Sequence, residues 1–150
     1  MATWEEYKKT IRRGEDPIFD RIRAGDCLAV QEFLDKGGDV DLKNYKGYSL
    51  LMLAAYNEHL ELCRLLMEAG ADVNSEDHCG NTILMGVAFK GYAEVIRLLL
   101  KYGADPRPRN RLGLSAHTFA KLFGRQEVAL ILANAAGERL EESLIPGPRD

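Results

Sequence analysis

The 150-residue sequence has few of the side chains that hold metal-bound or cross-linked folds together: three cysteines and three histidines. Cys27, Cys63 and Cys79 form no Cys-x-x-Cys pair, and an odd number of thiols does not indicate a disulfide framework, so reduced cysteines are expected. His78 and Cys79 are adjacent, which is a poor arrangement for two ligands of one zinc ion. We therefore expect no metal site and no cofactor.

Long apolar runs are absent too. No stretch approaches the roughly 18 apolar residues of a membrane span, and the N-terminus lacks the apolar segment and small-residue cleavage site of a secretory signal. These absences predict a cytoplasmic protein with no membrane partner. The net charge of -3 and the pI near 5.7 exclude a strongly basic nucleic-acid-binding domain, so nucleic acid is not the expected partner.

Sequence signatures of enzymes are missing as well. There is no Gly-x-Ser-x-Gly, His-Glu-x-x-His or P-loop motif, and helix ends and turns account for the glycines. His59 and His117 fall at positions that favour structural roles. Cys63 lies among leucines on one apolar stripe, as a small hydrophobic residue does. We therefore expect no enzymatic activity.

What the sequence does contain is a repeat. Glycines recur every 33 residues in two series, which are Gly14, Gly47, Gly80 and Gly113, and Gly37, Gly70 and Gly103 with Ala136 in the fourth place. Between them lie pairs of short segments, such as 50–55 and 60–67, whose apolar positions have helical spacing. A glycine after the second segment suits the left-handed residue that ends a helix. Each unit is therefore predicted to be two short helices, within a single domain.

These blocks resemble the ankyrin-repeat family, whose period is 33 residues. Residues 69–74, Ala-Gly-Ala-Asp-Val-Asn, and 102–105, Tyr-Gly-Ala-Asp, are similar to the family's repeat ending. The resemblance implies an all-α ankyrin-repeat solenoid of helix-turn-helix units joined by β-turn fingers. The repeats are expected at about 14–46, 47–79, 80–112 and 113–137, with a helical cap at 1–13 and a C-terminal extension at 138–150.

The sequence departs from the family's Thr-Pro-Leu-His motif at the start of each first helix. Asp16 is expected to cap the first helix of repeat 1, and Ser49, Thr82 and Ser115 those of the later repeats. Methionine replaces the histidine in the two middle repeats, so no hydroxyl–imidazole bond is expected there. Glu58 stands where glycine is usual, and repeat 2 is therefore expected to be somewhat less stable.

Both ends of such a stack need a polar cover. Residues 1–13 are predicted to form a capping helix with Trp4, Tyr7 and Ile11 on one side. The last repeat helix is apolar almost all round. Leu140 and Leu144 are expected to fold against it in an additional helical turn, and the last residues are expected to be mobile.

In the ankyrin-repeat family, partners usually meet the finger tips and the exposed side of the first helices, which form the concave face. The resemblance therefore implies a partner-binding set, which is Tyr45, Tyr48, Tyr56, Glu76, His78, Asn81, Phe89, Lys90, Arg107, Arg109, Arg111 and Phe123. Aromatic residues at positions that the fold does not need are common interface anchors. Packing between neighbouring repeats is the alternative, which is weaker than the interface role for the tyrosines and equal to it for Phe89 and Phe123.

Charge is unevenly distributed along the repeats. Residues 48–80 carry six acidic residues against one arginine, a net charge of -5, whereas residues 81–113 carry six basic residues against two acidic ones, a net charge of +4. Arg107, Arg109 and Arg111 lie at the third finger, and guanidinium groups suit carboxylates or phosphates. The alternative is a solvated loop whose arginines pair with the acidic second repeat.

The leading hypothesis is an adaptor or inhibitor that binds another protein, with an acidic element, on its concave face. The second hypothesis is a nucleic-acid or nucleotide sensor built on the same arginines. The third is a scaffold that self-associates through its apolar C-terminal helix. A monomer or a weak homodimer is expected.

Overall fold

A computed structural model describes Thr3, Glu5 and residues 15–143, of which 138–143 are described by their backbone alone. This part of the chain forms eight helices and no β-strand beyond isolated bridges, so the all-α prediction is confirmed. The helices are α1 (Ile18–Ala24), α2 (Cys27–Asp35), α3 (Leu50–Tyr56), α4 (Leu60–Glu68), α5 (Ile83–Lys90), α6 (Ala93–Lys101), α7 (Ala116–Leu122) and α8 (Gln126–Ser143). None of them combines the length and the apolar character that crossing a membrane requires.

The helices pack as two rows. The odd-numbered helices form the first row, the even-numbered ones form the second, and each helix contacts its partner in the same repeat and the equivalent helix of the next repeat. Apolar side chains between the rows form one core that runs from Ile18 in repeat 1 to Leu132 in repeat 4. The predicted stack of helix pairs is therefore present throughout the described residues.

The middle of the core explains why the first-helix segments are so uniformly apolar. Every residue from Leu50 to Ala55 is buried, and the methionines that replace the family's histidine, Met52 and Met85, are almost fully enclosed. Cys63 is also fully buried, and this burial raises the pKa of its thiol to about 12. The interpretation of Cys63 as a core residue is confirmed.

The predicted helix caps are in place. Ser49, Thr82 and Ser115 each accept a hydrogen bond from the backbone N–H three residues on, at 3.1, 3.3 and 3.2 Å. Asp16 accepts one from the N–H two residues on, at 2.9 Å. The Met85 sulfur accepts from the backbone N–H of Thr82 at 3.3 Å, so the thioether completes this cap without an imidazole.

The turn between α3 and α4 has an unusual backbone. Glu58 has a φ of 59°, and it is the single residue other than glycine with a positive φ in the described part of the chain. The corresponding turns of the other repeats have glycine, at Gly25, Gly91 and Gly124. A side chain in this left-handed region costs conformational energy, which gives the expected weakness of repeat 2 a physical cause.

The C-terminal end differs from the expectation, and the predicted N-terminal cap lies outside the described residues. The backbone of residues 138–143 continues α8 without a break. The prediction that the segment around Leu140 folds back against the last helix is therefore wrong for these residues, because Gly137 does not interrupt a run of good helix formers. Leu144 and the tail lie outside the described residues, as do Trp4, Tyr7 and Ile11 of the predicted cap.

Three fingers connect the repeats. Finger 1 is residues 43–49, finger 2 is 76–82 and finger 3 is 109–115, and an antiparallel bridge joins the first and last residue of each. The second residue of each finger, Asn44, Asp77 or Asn110, accepts hydrogen bonds from the backbone N–H groups two and four residues on. This side-chain cap gives all three fingers the same turn.

Hydrogen bonds between neighbouring repeats hold these turns in register. The backbone N–H of Asp72 donates to Asp41 and that of Asp105 to Asn74, each at 2.8 Å. Within repeat 1, the Asn44 amide of finger 1 donates to Glu15 at 3.0 Å. The fingers and the exposed side of the first-row helices thus form one continuous surface, which we call the finger face.

Candidate functional site

Two adjoining cavities lie on the finger face. The aromatic pocket has a volume of about 200 Å³ and is lined by Tyr48, Tyr56, Asp77, Asn81, Met85, Gly86, Phe89, Lys90 and Phe119. The basic groove is a more open depression of about 620 Å³, lined by Lys43, Glu76, Asp77, His78, Gly80, Arg109, Asn110 and Arg111. Because Asp77 lines both, a single bound segment can reach from one to the other.

A glycine in the middle of α5 creates the aromatic pocket. A Cβ atom at Gly86 would lie 2.2 Å from Cε1 of Tyr56, so the tyrosine ring occupies space that any other residue would need. Tyr48 packs edge-on against Tyr56, with ring centroids 6.0 Å apart and an interplanar angle of 77°. The pocket floor is therefore formed by two rings from repeat 2 and a bare stretch of backbone from repeat 3.

The two tyrosines pack against the core and also line the aromatic pocket. Tyr48 and Tyr56 are half-buried and pack against the core, which corrects the expectation that their positions are not needed for packing. Burial raises the pKa of Tyr56 well above its ordinary value, and the charge of Asp77 and the neighbouring Tyr48 raise it further. The pocket thus holds a neutral phenol at physiological pH.

Phe89 and Phe123 pack between neighbouring repeats and also remain partly exposed. Their rings pack edge-to-face across the boundary between repeats 3 and 4, with centroids 4.6 Å apart and an angle of 79°. Even so, Phe89 remains 42% exposed and Phe123 48% exposed, and the adjacent Leu122 is 64% exposed. An apolar strip therefore continues from the aromatic pocket toward the end of the stack.

The basic groove contains cations that form no ion pair within the described part of the chain, although the carboxylates of Glu76 and Asp77 also line it. Lys43 donates to the backbone carbonyl of Glu76 at 3.1 Å, and Arg109 donates to that of Gly113 at 2.9 Å. Among the residues that the structure describes, neither these two side chains nor Arg111 forms an ion pair. The alternative that these finger 3 arginines pair with the acidic second repeat is therefore wrong for Arg109 and Arg111.

Arg107 differs from the other two arginines. Its guanidinium pairs with Asp105 in its own loop, with Nε 3.0 Å from one carboxylate oxygen and a terminal nitrogen 3.2 Å from the other. Its exposed side chain does not line the groove. The structure therefore separates Arg107 from the arginine cluster expected at the third finger.

The other predicted binding residues have different environments. The Asn81 amide donates to Asp77 at 3.3 Å and accepts from Asn110 at 2.9 Å, so its polar atoms serve the fingers. Tyr45, at the tip of finger 1, is 55% exposed, and the Lys46 ammonium lies 5.7 Å from its ring centroid. Glu76 and His78 line the groove, and Lys90 lines the pocket.

The histidines and cysteines do not form a ligand cluster. In the described part of the chain, no three side chains of the types that bind metals lie close enough to share an ion. The His59 ring is hydrogen-bonded through Nε2 to the backbone carbonyl of Arg23 at 2.9 Å, which confirms its structural role. Cys79 is exposed at the tip of finger 2 and Cys27 is half-buried.

Sequence reasoning missed three residues that shape the aromatic pocket. Met85, Gly86 and Phe119 line it, although none was among the candidates. The available signal was a glycine within a helical apolar segment, which lowers helix stability and often marks close packing. Gly86 stands where the neighbouring repeats have Leu53 and Phe119.

Comparison with known proteins agrees with this architecture. The profile of a family described as ankyrin repeats (3 copies) matches residues 5–77 and 51–141. A Pseudomonas aeruginosa protein named as an ankyrin repeat protein is 42% identical over 48 residues, which are 32% of this chain and 28% of that protein. The aligned segment thus spans little more than a quarter of the relative's length.

Proposed function

This chain belongs to the ankyrin-repeat family, and from that premise we propose that it is a protein-binding module, an adaptor or inhibitor whose partner lies across the finger face. Proteins of this family generally mediate protein–protein interactions. Its three free cysteines suit the reducing cytoplasm, where we place it.

The observation that carries the proposal is the exposed apolar strip beside the aromatic pocket. Phe89, Leu122 and Phe123 are each between 42% and 64% exposed, although large apolar side chains are normally buried. A contiguous apolar patch rimmed by polar residues marks interaction sites. The two tyrosines of the pocket add rigid aromatic surface of the kind that forms interface anchors.

The chemistry of the pocket favours binding over catalysis. Burial raises the pKa of Tyr56, so the phenol of this residue stays neutral. Cys63, whose thiol is likewise held protonated by burial, is enclosed in the core and reaches neither cavity. These groups suit packing against a partner rather than nucleophilic attack.

The experiment compares two exposed leucines on different surfaces. Leu122 lies at the end of α7 on the finger face and is 64% exposed, whereas Leu130 lies on α8 in the second row and is 66% exposed. Wild-type, Leu122→Ser and Leu130→Ser proteins are used as baits in native extract, and recovered proteins are quantified by mass spectrometry. Both substitutions should change the free energy of unfolding by no more than about 0.5 kcal/mol.

The expected result is a specific partner that the wild type and Leu130→Ser recover equally and Leu122→Ser recovers at least about tenfold less, equivalent to about 1.4 kcal/mol. Loss with Leu130→Ser alone would place the site on α8. Recovery that disappears after nuclease treatment would instead support the nucleic-acid alternative. An increase in molecular mass with protein concentration, abolished by Leu130→Ser, would support self-association.

A further inference from the structure

We propose that the partner presents a short extended segment with one bulky apolar residue for the aromatic pocket and, a few residues away, a carboxylate for the basic groove. This inference rests on the proposed function and specifies the chemistry of the bound segment. It follows from the size of the pocket, from groove cations that have no ion-pair partner among the described residues, and from the position of Asp77 between the two cavities.

The size of the aromatic pocket fits one side chain. Its volume of about 200 Å³ lies below the range of roughly 300–1,000 Å³ that is usual for small-molecule sites. Its walls include Tyr48, Tyr56 and Phe89, and its opening continues into the exposed strip at Phe89. An aromatic or large aliphatic side chain from a partner satisfies this shape and leaves its backbone on the surface.

The cations of the groove differ from most other arginines of the described chain; the exception is Arg125, which donates to the backbone carbonyl of Phe89 at 3.1 Å and forms no ion pair among the described residues. Arg21, Arg23, Arg64, Arg97 and Arg107 each lie within 4.0 Å of a carboxylate. Arg109 and Arg111 have no such partner in the described residues, and Lys90 adds a further exposed ammonium beside the pocket. Guanidinium groups without a counter-charge offer charge-assisted hydrogen bonds to a carboxylate.

Asp77 determines where the carboxylate of the partner can lie. Its Oδ1 accepts from the backbone N–H groups of Cys79 and Asn81 and its Oδ2 from the Asn81 amide, so Oδ2 can still accept one further hydrogen bond. Its charge still faces both cavities and repels a carboxylate at their junction. The residue over Asp77 is therefore neutral or a donor, and the acidic residue lies beyond it, toward Arg109 and Arg111.

The test begins with a random 12-residue peptide library displayed on phage and selected against the full-length protein. Selected sequences should share one bulky apolar residue, a neutral spacer and at least one Asp or Glu. Synthetic fluorescein-labelled peptides are then measured by fluorescence polarisation. Replacing the apolar residue by Ala, or the acidic residue by its amide, should weaken binding at least about tenfold, and the acidic contact should weaken further with salt.

Finger 3 and the loop immediately before it supply a matched control. Arg109→Glu and Arg107→Glu make the same charge change two residues apart, but Arg107 is already paired with Asp105 and lies outside the groove. Arg109→Glu should weaken peptide binding at least about tenfold, and Arg107→Glu should weaken it less than about twofold. A peptide with Lys in place of the acidic residue should bind Arg109→Glu better than wild type.

Several results would overturn the inference. The inference fails if the selected peptides lack an acidic residue. It fails equally if Arg107→Glu and Arg109→Glu have the same effect, or if no peptide binds the wild type more tightly than it binds Arg109→Glu. A 20-nucleotide single-stranded DNA that displaces the peptides because it binds more tightly than they do would reassign the groove to nucleic acid. The proposed function survives the first three results if Leu122→Ser still loses its protein partner, and both fail if it does not.

Discussion

Replacing Gly86 with alanine should destabilise the protein, although alanine is the better helix former. Gly86 lies inside α5, where glycine costs about 1 kcal/mol relative to alanine. The added Cβ would lie 2.2 Å from Cε1 of Tyr56 and 2.3 Å from its hydroxyl oxygen. These distances are far shorter than a van der Waals contact, so the ring has to leave its position.

The magnitude follows from what the Tyr56 ring loses. Full burial of a large side chain contributes roughly 1.5–3 kcal/mol, and an edge-on aromatic pair such as the one with Tyr48 adds about 0.5–1.5 kcal/mol. Because the ring is only half-buried and keeps some contacts after moving, we expect a loss of about 2–3 kcal/mol. The gain in helix propensity offsets about 1 kcal/mol, which leaves a net destabilisation of about 1–2 kcal/mol.

The assay is urea unfolding of four proteins: wild type, Gly86→Ala, Tyr56→Ala and the double variant. Without the ring there is nothing for the new methyl group to displace, so Gly86→Ala should stabilise the Tyr56→Ala protein by about 1 kcal/mol. The effect of one substitution thus changes sign with its background. If its effect is the same in both backgrounds to within about 0.5 kcal/mol, the two residues are not coupled and the account of the pocket is wrong.

Two further predictions concern Glu58 and Cys63. Glu58→Gly should raise the free energy of unfolding by about 1 kcal/mol, because glycine adopts the φ of 59° without strain, whereas Glu58→Ala should give no such gain in thermal denaturation. The Cys63 thiol should resist a thiol reagent in the native protein while exposed Cys79 reacts. Burial raises the pKa of the Cys63 thiol to about 12 in the folded protein. The stability that this protonated thiol contributes is therefore complete below the pKa of the unfolded chain, and it is lost as the pH rises from that value toward about 12. Between about pH 8 and about pH 10.5, the wild type should therefore lose about 2 kcal/mol more than Cys63→Ala does, and an equal loss in both would contradict this.

The repeat architecture was predictable because each of its determinants is local. The glycine series, the apolar periodicity and the caps at Ser49, Thr82 and Ser115 all act within a few residues of their own position. The aromatic pocket was not predictable in this way. The burial of Tyr56 depends on the missing side chain of Gly86, a residue of the next repeat; the sequence shows the glycine but not which side chain packs against it.

The three arginines in and just before finger 3 illustrate a second limit of prediction from sequence. Arg107, Arg109 and Arg111 form one cluster in the sequence. In the structure, however, the backbone of the loop brings Arg107 to Asp105 and places the other two arginines in the groove. Likewise, Asn81 belongs to the predicted partner-binding set, yet its amide oxygen accepts a hydrogen bond from Asn110 of the neighbouring finger. Which polar groups remain available to a partner depends on such pairings.

The hydrogen bonds between successive turns also bear on how the protein is made. They join residues 29 to 33 positions apart, as from Asn110 to Asn81, from Asp72 to Asp41 and from Lys43 to Glu76, and the principal helix contacts join the same or the next repeat. No large loop has to close before these contacts form, and such local topologies fold quickly. During synthesis on the ribosome, each emerging helix pair can therefore dock on one that is already folded, so that the stack grows from its N-terminal repeat without waiting for the C-terminus.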